Sequence, residues 1–327
     1  MRYASIEVLR FLAAVLVVWE HVLGSLSLPM FGAFGVDIFF VISGFVIMGS
    51  RDSSVLIFLF KRIIRIYPLY LVCTLAVVMI KVTLLGETSN IDLVSVIKSL
   101  LFIPNYQDGA FHFPIFHLGW SLNFEMIFYI LFGVSIIFGS NTVRFIFVTV
   151  GITVLYFWPI ISAGNGFVYD FYSQYYIFEF SIGMTLYKFR GKLFALDRYS
   201  SRIYAFILSF MAFAFLWFYY MPQYSFFGRE FVFMFTGSAI VCSCVMLESD
   251  VRNSLAIIGD FLGSVSYPMY LLHPFVIGGL GLFVADATVL LIATIITSLI
   301  GSIVANRFYD LPVRKYLMDK LLTKEPK

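Results

Sequence analysis

Residues 287–308 read ATVLLIATIITSLIGSIVANRF, and the first formal charge in the run is Arg307. A helix rising about 1.5 Å per residue needs about 20 apolar residues to cross the hydrocarbon core of a bilayer. The run has that length and lacks the period-two alternation of a barrel strand, so it predicts a membrane-crossing helix. The rest of the chain has the same character. Of its 327 residues, 61% are hydrophobic and only 13% are Asp, Glu, Lys or Arg, about half the charged share of a soluble globular protein. Mean hydropathy is +0.94. Twenty-two cations and 19 carboxylates cannot supply the charged shell that a soluble protein of this size requires. The composition predicts an all-α, polytopic membrane protein with short loops and no sizeable soluble domain.

Apolar windows predict about ten spans, at 6–28, 35–50, 65–85, 118–138, 143–162, 172–190, 202–221, 229–247, 262–284 and 287–308. Arg51, Lys61, Arg62, Arg65, Arg144, Lys188, Arg190, Lys192, Arg198, Arg202, Arg252 and the cations from Arg307 onward then share one side. Lys98 and Arg229 are the cations of the opposite loops. Lys and Arg accumulate on the cytoplasmic side of a membrane, so both termini are expected there. Residues 1–310 form the expected transmembrane core and 311–327 a short basic cytoplasmic tail. The N-terminal run is expected to be a retained span, because Arg10, Glu20 and His21 interrupt it where a signal peptide would be apolar. In the outer connection, 91–103 (IDLVSVIKSLLFI) is too short to cross and reads as a helix lying at the surface. The net charge of +3 is too mild to point to nucleic acid. Cys73, Cys242 and Cys244 are too few for a disulfide framework and read as packing. His112 and His117 lack further ligands at matching spacing, so no metal is expected.

Ionisable groups at membrane depth are costly and mark candidate sites. Arg10 and His21 are eleven residues apart. At about 100° per residue they share a face of the first span, separated by about 16 Å along its axis. One stripe thus carries an anion-binding cation at its cytoplasmic end and a titratable base toward the outer end. Asp37 begins the second span, Glu125 lies in the fourth and Glu179 in the sixth, all toward the outer side. Ser121, Glu125 and Tyr129 follow at i, i+4 and i+8 on one face. A histidine beside a carboxylate suits general-base work, and spacing leaves open whether Glu125 or Glu179 is the partner of His21. Arg62 and Arg65 neighbour each other on a helical face before the third span. Such a pair suits bidentate phosphate binding and is equally an ordinary cytoplasmic flank. Ser43 and Gly44, at mid-depth of the second span, allow either a close helix approach or an unwound stretch lining a cavity. His273 follows Pro268 and Tyr270, in a polar path or a buried network.

These elements together resemble the integral-membrane acyltransferase family 3, whose members O-acylate surface polysaccharides, lipid-linked sugars and related glycans. The resemblance rests on Leu9-Arg10-Phe11 through His21, matching the family's Arg-x10-His motif. It rests equally on Phe39-Phe40-Val41-Ile42-Ser43-Gly44 and on Lys61-Arg62-Ile63-Ile64-Arg65. Further on, Trp120-Ser121-Leu122-Asn123-Phe124-Glu125 with Phe128-Tyr129, Phe178-Glu179-Phe180, and Ser266-Tyr267 through His273-Pro274 complete the set. Gly119 stands between His117-Leu118 and Trp120 where members often read His-Leu-Trp.

The resemblance implies an acyl-CoA co-substrate, usually acetyl-CoA, on the cytoplasmic side. It also implies a glycan or lipid-linked saccharide acceptor at the outer face, within the surrounding membrane lipids. On that reading Arg62, Arg65 and Arg10 hold the CoA phosphates and the pantetheine arm passes Ser43-Gly44. His21 is base or nucleophile, with Glu125 first and Glu179 second as the group that orients it. Asp37, Ser121, Tyr129 and His273 are expected on the acceptor. Some members carry an appended hydrolase-like domain. This chain ends at Lys327, so the membrane core or a partner is expected to complete transfer. The competing reading is a glycolipid transporter or flippase that uses the same charges as a substrate path.

Overall fold

The computed structural model describes residues 3–25, 32–84, 86, 91–107, 110–162, 171–220 and 228–322. The expected span ends at 26–28, 85 and 221 lie outside the described residues. Those described are helical almost throughout. Five helical segments, Val55–Thr83, Asn141–Ile161, Arg198–Trp217, Arg229–Leu280 and Ala287–Leu321, are long and apolar enough to cross a membrane, and Gly35–Met48 is a shorter apolar helix. The chain divides into two compact units, Met1–Ser50 with Phe178–Val304 and Arg51–Ile177 with Ala305–Lys327.

The first unit is built on helix α1 (Ala4–Ser25) and α2 (Gly35–Met48). The first backbone N–H groups of a helix have no partner within it. For α1 they are met from far along the chain. The carboxylate of Glu248 accepts from Ala4 N at 3.0 Å, from Ser5 N at 2.9 Å and from Ser5 Oγ at 2.6 Å. An anion there also complements the helix dipole, and a cap of this kind contributes about 1–2 kcal/mol. Ile6, Leu9, Ala13, Ile38, Val41 and Phe45 then share a core with Val232, Phe233, Val241 and Val245.

Arg229–Leu280 is one unbroken helical element of 52 residues, where two spans separated at 248–261 are expected. Straight, it would reach about 78 Å, more than twice the hydrocarbon thickness. Its contacts show that it doubles back. Gly237 lies against Asp37 and Ile38 at the start of α2, whose Gly35 abuts Ala13 and Val17. Cys244 and Glu248 then reach the first turn of α1. This arm therefore runs against α1. Beyond it, Gly259 lies on Ala4 and Gly263 on Glu7. Met269 packs with Ala14 and Val18, so the second arm runs along α1 in the same direction. The two expected spans are two arms of one element.

Two helices precede that element, Tyr176–Phe194 and Arg198–Tyr220; in chain order, after the four helices of the second unit described below, they are α7 and α8, Arg229–Leu280 is α9 and Ala287–Ala305 is α10. Side chains Leu290, Thr294, Ser298 and Ser302 of α10 are buried, whereas Val289, Ile292, Ile296, Ile300 and Val304 are exposed. The small polar stripe faces protein and the branched apolar stripe faces outward, the reverse of a soluble helix. Helices α2 and α7 approach closely: a Cβ at Gly44 would overlap the Phe180 carbonyl, and one at Gly183 would overlap that of Val41. Ser43 and Gly44 lie within the regular helix α2, so Gly44 serves close approach and the stretch is not unwound.

In the second unit, α3 spans Val55–Thr83, starting ten residues before the expected 65. Ser54 caps it by accepting from Ile57 N. Lys61, Arg62 and Arg65 thus lie inside the helix and Pro68 in its middle. Hydropathy places the start too late, because Lys and Arg lower the apolar average while being good helix formers. The expected surface helix is α4 (Leu93–Leu100), capped by Asp92, which accepts from Ser95 N at 2.6 Å. Its polar side is held inside: Ser99 O accepts from the Tyr70 hydroxyl at 3.0 Å, and Asn105 Nδ2 donates to Ser95 Oγ at 3.1 Å. Leu93, Val94, Ile97 and Leu101 point outward.

A short antiparallel hairpin follows, β1 (Asn105–Gln107) with β2 (Ala110–His112), paired Asn105 to His112. Then come α5 (Gly119–Ser135) and α6 (Asn141–Ile161). A Cβ at Gly119 would collide with the Tyr70 hydroxyl, which accounts for glycine before Trp120. After α10 the chain makes a π turn, Asn306–Asp310, and continues as α11 (Leu311–Leu322), which packs on α3. The segment read as a tail is thus largely helix within the second unit.

Candidate active site

Of the residues singled out in the sequence, the first unit carries Arg10, His21, Asp37, Ser43, Gly44, Glu179 and His273. The second carries Arg62, Arg65, Ser121, Glu125 and Tyr129.

His21 lies in the last part of α1, with Nδ1 2.8 Å from the Val17 carbonyl oxygen one turn back. A carbonyl only accepts, so Nδ1 carries the hydrogen and Nε2 of the neutral ring keeps its lone pair. The ring beside it belongs to His273 of α9, with centroids 5.0 Å apart and planes at 58°. His273 is wholly buried, its Nδ1 3.3 Å from the Met269 carbonyl oxygen and its ring 6.1 Å from Tyr270. Tyr270 in turn meets Phe39 of α2 at 5.9 Å. The other end of the α1 stripe is answered within its own helix. Arg10 lies 3.9 Å from Glu7, and Glu7 abuts Gly263 of α9. His21 therefore meets the second arm of α9 directly, and Arg10 meets it through Glu7.

Asp37 and Glu179 occupy the first turns of α2 and α7, and both are buried. The positive end of each helix dipole favours a carboxylate there. The ionisable group acting on Glu179 is the Asp37 carboxyl. Ser43 is buried in the same helix.

In the second unit, the Arg62 guanidinium lies 5.2 Å from the Phe58 ring centre and 6.0 Å from that of Tyr129, within cation–π range. The Tyr129 hydroxyl donates to Glu125 Oε1, as the i, i+4 spacing predicts. Ser121 turns back, donating to the Leu118 carbonyl oxygen at 3.1 Å. Both Arg62 and Arg65 act electrostatically on Tyr129, and Arg65 also acts on Asp310 of the π turn. Asp310 is buried and binds Arg314 of α11 at 2.7 Å. A string of alternating charge thus runs from α5 through α3 to α11. Sequence reasoning missed Asp310 and Arg314. Their i, i+4 spacing was visible, and so was their placement just past an apolar run.

A histidine with a directed lone pair can take a proton from a hydroxyl. Paired arginines on a helix can hold a phosphate. Among the described residues, no group of three or more His, Cys, Asp or Glu could hold a metal ion. A multi-helix integral membrane protein with an intramembrane histidine pair and helix-borne arginines is the class that the fold and these groups define. A family model for an acyltransferase domain matches residues 3–307, and the chain belongs to that integral-membrane acyltransferase family. It is similar to the exopolysaccharide production protein ExoZ of Rhizobium meliloti (strain 1021), 30% identical over 262 residues, or 75% of this chain and 77% of the relative. No solved structure matches it.

Proposed function

We propose that this protein moves an acyl group, acetyl in the simplest case, from a cytoplasmic acyl-CoA to a hydroxyl of an extracytoplasmic or lipid-linked glycan. The observation that carries the reading is the hydrogen bond from His21 Nδ1 to Val17, which leaves Nε2 as the base. The acceptor hydroxyl gives its proton to Nε2 and its oxygen forms a bond to the thioester carbonyl carbon. The carbon–sulfur bond then breaks, and the departing thiolate takes the proton from Nε2. Arg62 and Arg65 are assigned to the CoA phosphates, with Asp37, Ser121 and Tyr129 on the acceptor side. About ten spans with both termini in the cytoplasm suit a donor taken from inside. The similarity to ExoZ, an exopolysaccharide production protein, supports an exopolysaccharide acceptor.

The test uses purified protein, labelled acetyl-CoA and the host polysaccharide. Label is expected on the polysaccharide, and His21→Ala is expected to lose about a thousandfold in rate while melting normally. Movement of unmodified lipid without label transfer would replace the reading with a flippase.

A further inference from the structure

A chain of aromatic rings in the second unit joins segments far apart in sequence. Phe124, buried in α5, has its ring centre 6.2 Å from Trp120, 5.9 Å from Tyr176 and 4.7 Å from Phe171. Trp120 and Tyr176 also meet each other, at 5.2 Å. Phe171 stacks on Phe111 of β2 at 4.8 Å, Phe111 meets Phe113 at 5.3 Å, and Phe113 meets His117 at 4.2 Å. The chain runs from a closed end to an open one: Phe124 is buried, Trp120 and Tyr176 are half-buried, and Phe113 is 52% exposed beside the exposed His117. The open end is held in place. Ile115 N donates to Ser99 Oγ at 2.8 Å, and Phe116 is buried against Tyr70, their ring centres 6.0 Å apart. A surface fixed in this way loses little freedom on binding.

Residues 113–118 are neither helix nor strand. Exposed backbone of that kind does not stand in the hydrocarbon of a bilayer, where its polar groups find no partner. Phe113 and His117 therefore stand at the level of headgroups or water. A flat apolar ring left open there, with an imidazole against it and an indole farther along the same chain, suits a ligand with one apolar face and a hydrated rim. A pyranose is such a ligand, because its axial C–H groups form a face and its hydroxyls an edge. Resting on the reading of a glycan acceptor, we propose that the rings of Phe113, His117, Trp120 and Tyr176 form a shelf on which sugar units of the acceptor polymer stack. The shelf touches no reacting atom, so it acts on acceptor binding alone. An aliphatic lipid chain needs no flat partner, which gives the test its discrimination.

The test uses the full chain in nanodiscs, with labelled acetyl-CoA and the host polysaccharide. Phe113 is largely exposed, so its variants are expected to melt as the wild type does. Phe113→Leu keeps an apolar side chain and removes the flat face. Its polysaccharide KM should rise about tenfold, with kcat and the acetyl-CoA KM unchanged. Phe113→Trp keeps a flat face and should stay within about twofold of wild type. Trp120→Leu should act in the same direction as Phe113→Leu; should it fold poorly, the two Phe113 variants still decide. A wild-type polysaccharide KM in Phe113→Leu would assign the rings to the membrane interface and overturn the proposal, as would equal impairment of the Leu and Trp variants. Binding without turnover separates this claim from the reading it rests on. In His21→Ala protein titrated with polysaccharide, adding Phe113→Leu should weaken binding about tenfold. If the wild type transfers label while Phe113→Leu leaves binding unchanged, only the shelf fails. If no label moves but binding still depends on Phe113, the acyl-transfer reading fails and the shelf stands. No binding at all would end both.

Discussion

The two units differ in the company their buried titratable groups keep. Beside its Arg10–Glu7 ion pair, the first brings like groups together: His21 faces His273, and Glu179 is acted on by Asp37. In the second, unlike groups alternate from Glu125 and Tyr129 to Arg62 and Arg65, then to Asp310 and Arg314. Unlike groups compensate one another and hold a fixed charge in a low-dielectric interior. Like groups cannot do so, and their energy changes with each proton gained or lost. Under the proposed function, this contrast would place proton handling in the first unit and fixed anion attraction in the second, on helices that hydropathy alone cannot tell apart.

Arg65→Ala is the strongest attempt to break this contrast. Loss of a charge-assisted phosphate contact should raise the acetyl-CoA KM by about 10- to 100-fold. An unchanged donor dependence would return Arg65 to a membrane-flanking role. A paired experiment with smaller effects sharpens it. Glu125→Gln leaves Arg62 and Tyr129 with a weaker partner and should lower stability by about 1–2 kcal/mol, read from melting in detergent. Asp37→Asn removes one of two like groups and should leave stability equal or higher. The same sign for both would erase the distinction. The smallest effect belongs to Asp197, an exposed cap that accepts from Tyr199 N and Ser200 N at 3.0 Å each. Hydrogen bonds from the Ser200 side chain and backbone hold its carboxyl below the ordinary aspartate value. A depressed folded-state value means the contribution is complete above the unfolded value, about 4, and fades as pH falls through the folded one. Asp197→Ala should lower the melting temperature slightly at pH 7 and by progressively less as pH falls through the folded-state value, whereas an equal effect throughout would assign the loss to something other than the charge.

Periodicity and composition made the helical membrane character legible, and the i, i+4 relation of Glu125 to Tyr129 could be read because it is local. The eleven-residue interval also placed Arg10 and His21 on one stripe of α1. Other features were hidden for definite reasons. Glu248 ends an apolar window and looks like loop until its carboxylate is seen on the first turn of α1, 243 residues away. The start of α3 was masked because its cations depress hydropathy. Arg314 was read with a tail because nothing before the fold indicates that α11 packs on α3.

By itself, the sequence determined that this is an all-α membrane protein and where along the chain its few charges fall. Hydrophobic matching and helical period are properties of a segment alone, so a segment suffices to reveal them. Only the tertiary structure decided which groups face which: histidine with histidine, Glu179 with Asp37, and Arg65 with a carboxylate of the π turn. Those pairings depend on contacts between residues far apart in the chain, among them the close packing at Gly44 and Gly183, the doubling back of α9 and the packing of the π turn and α11 on α3. No local pattern encodes them.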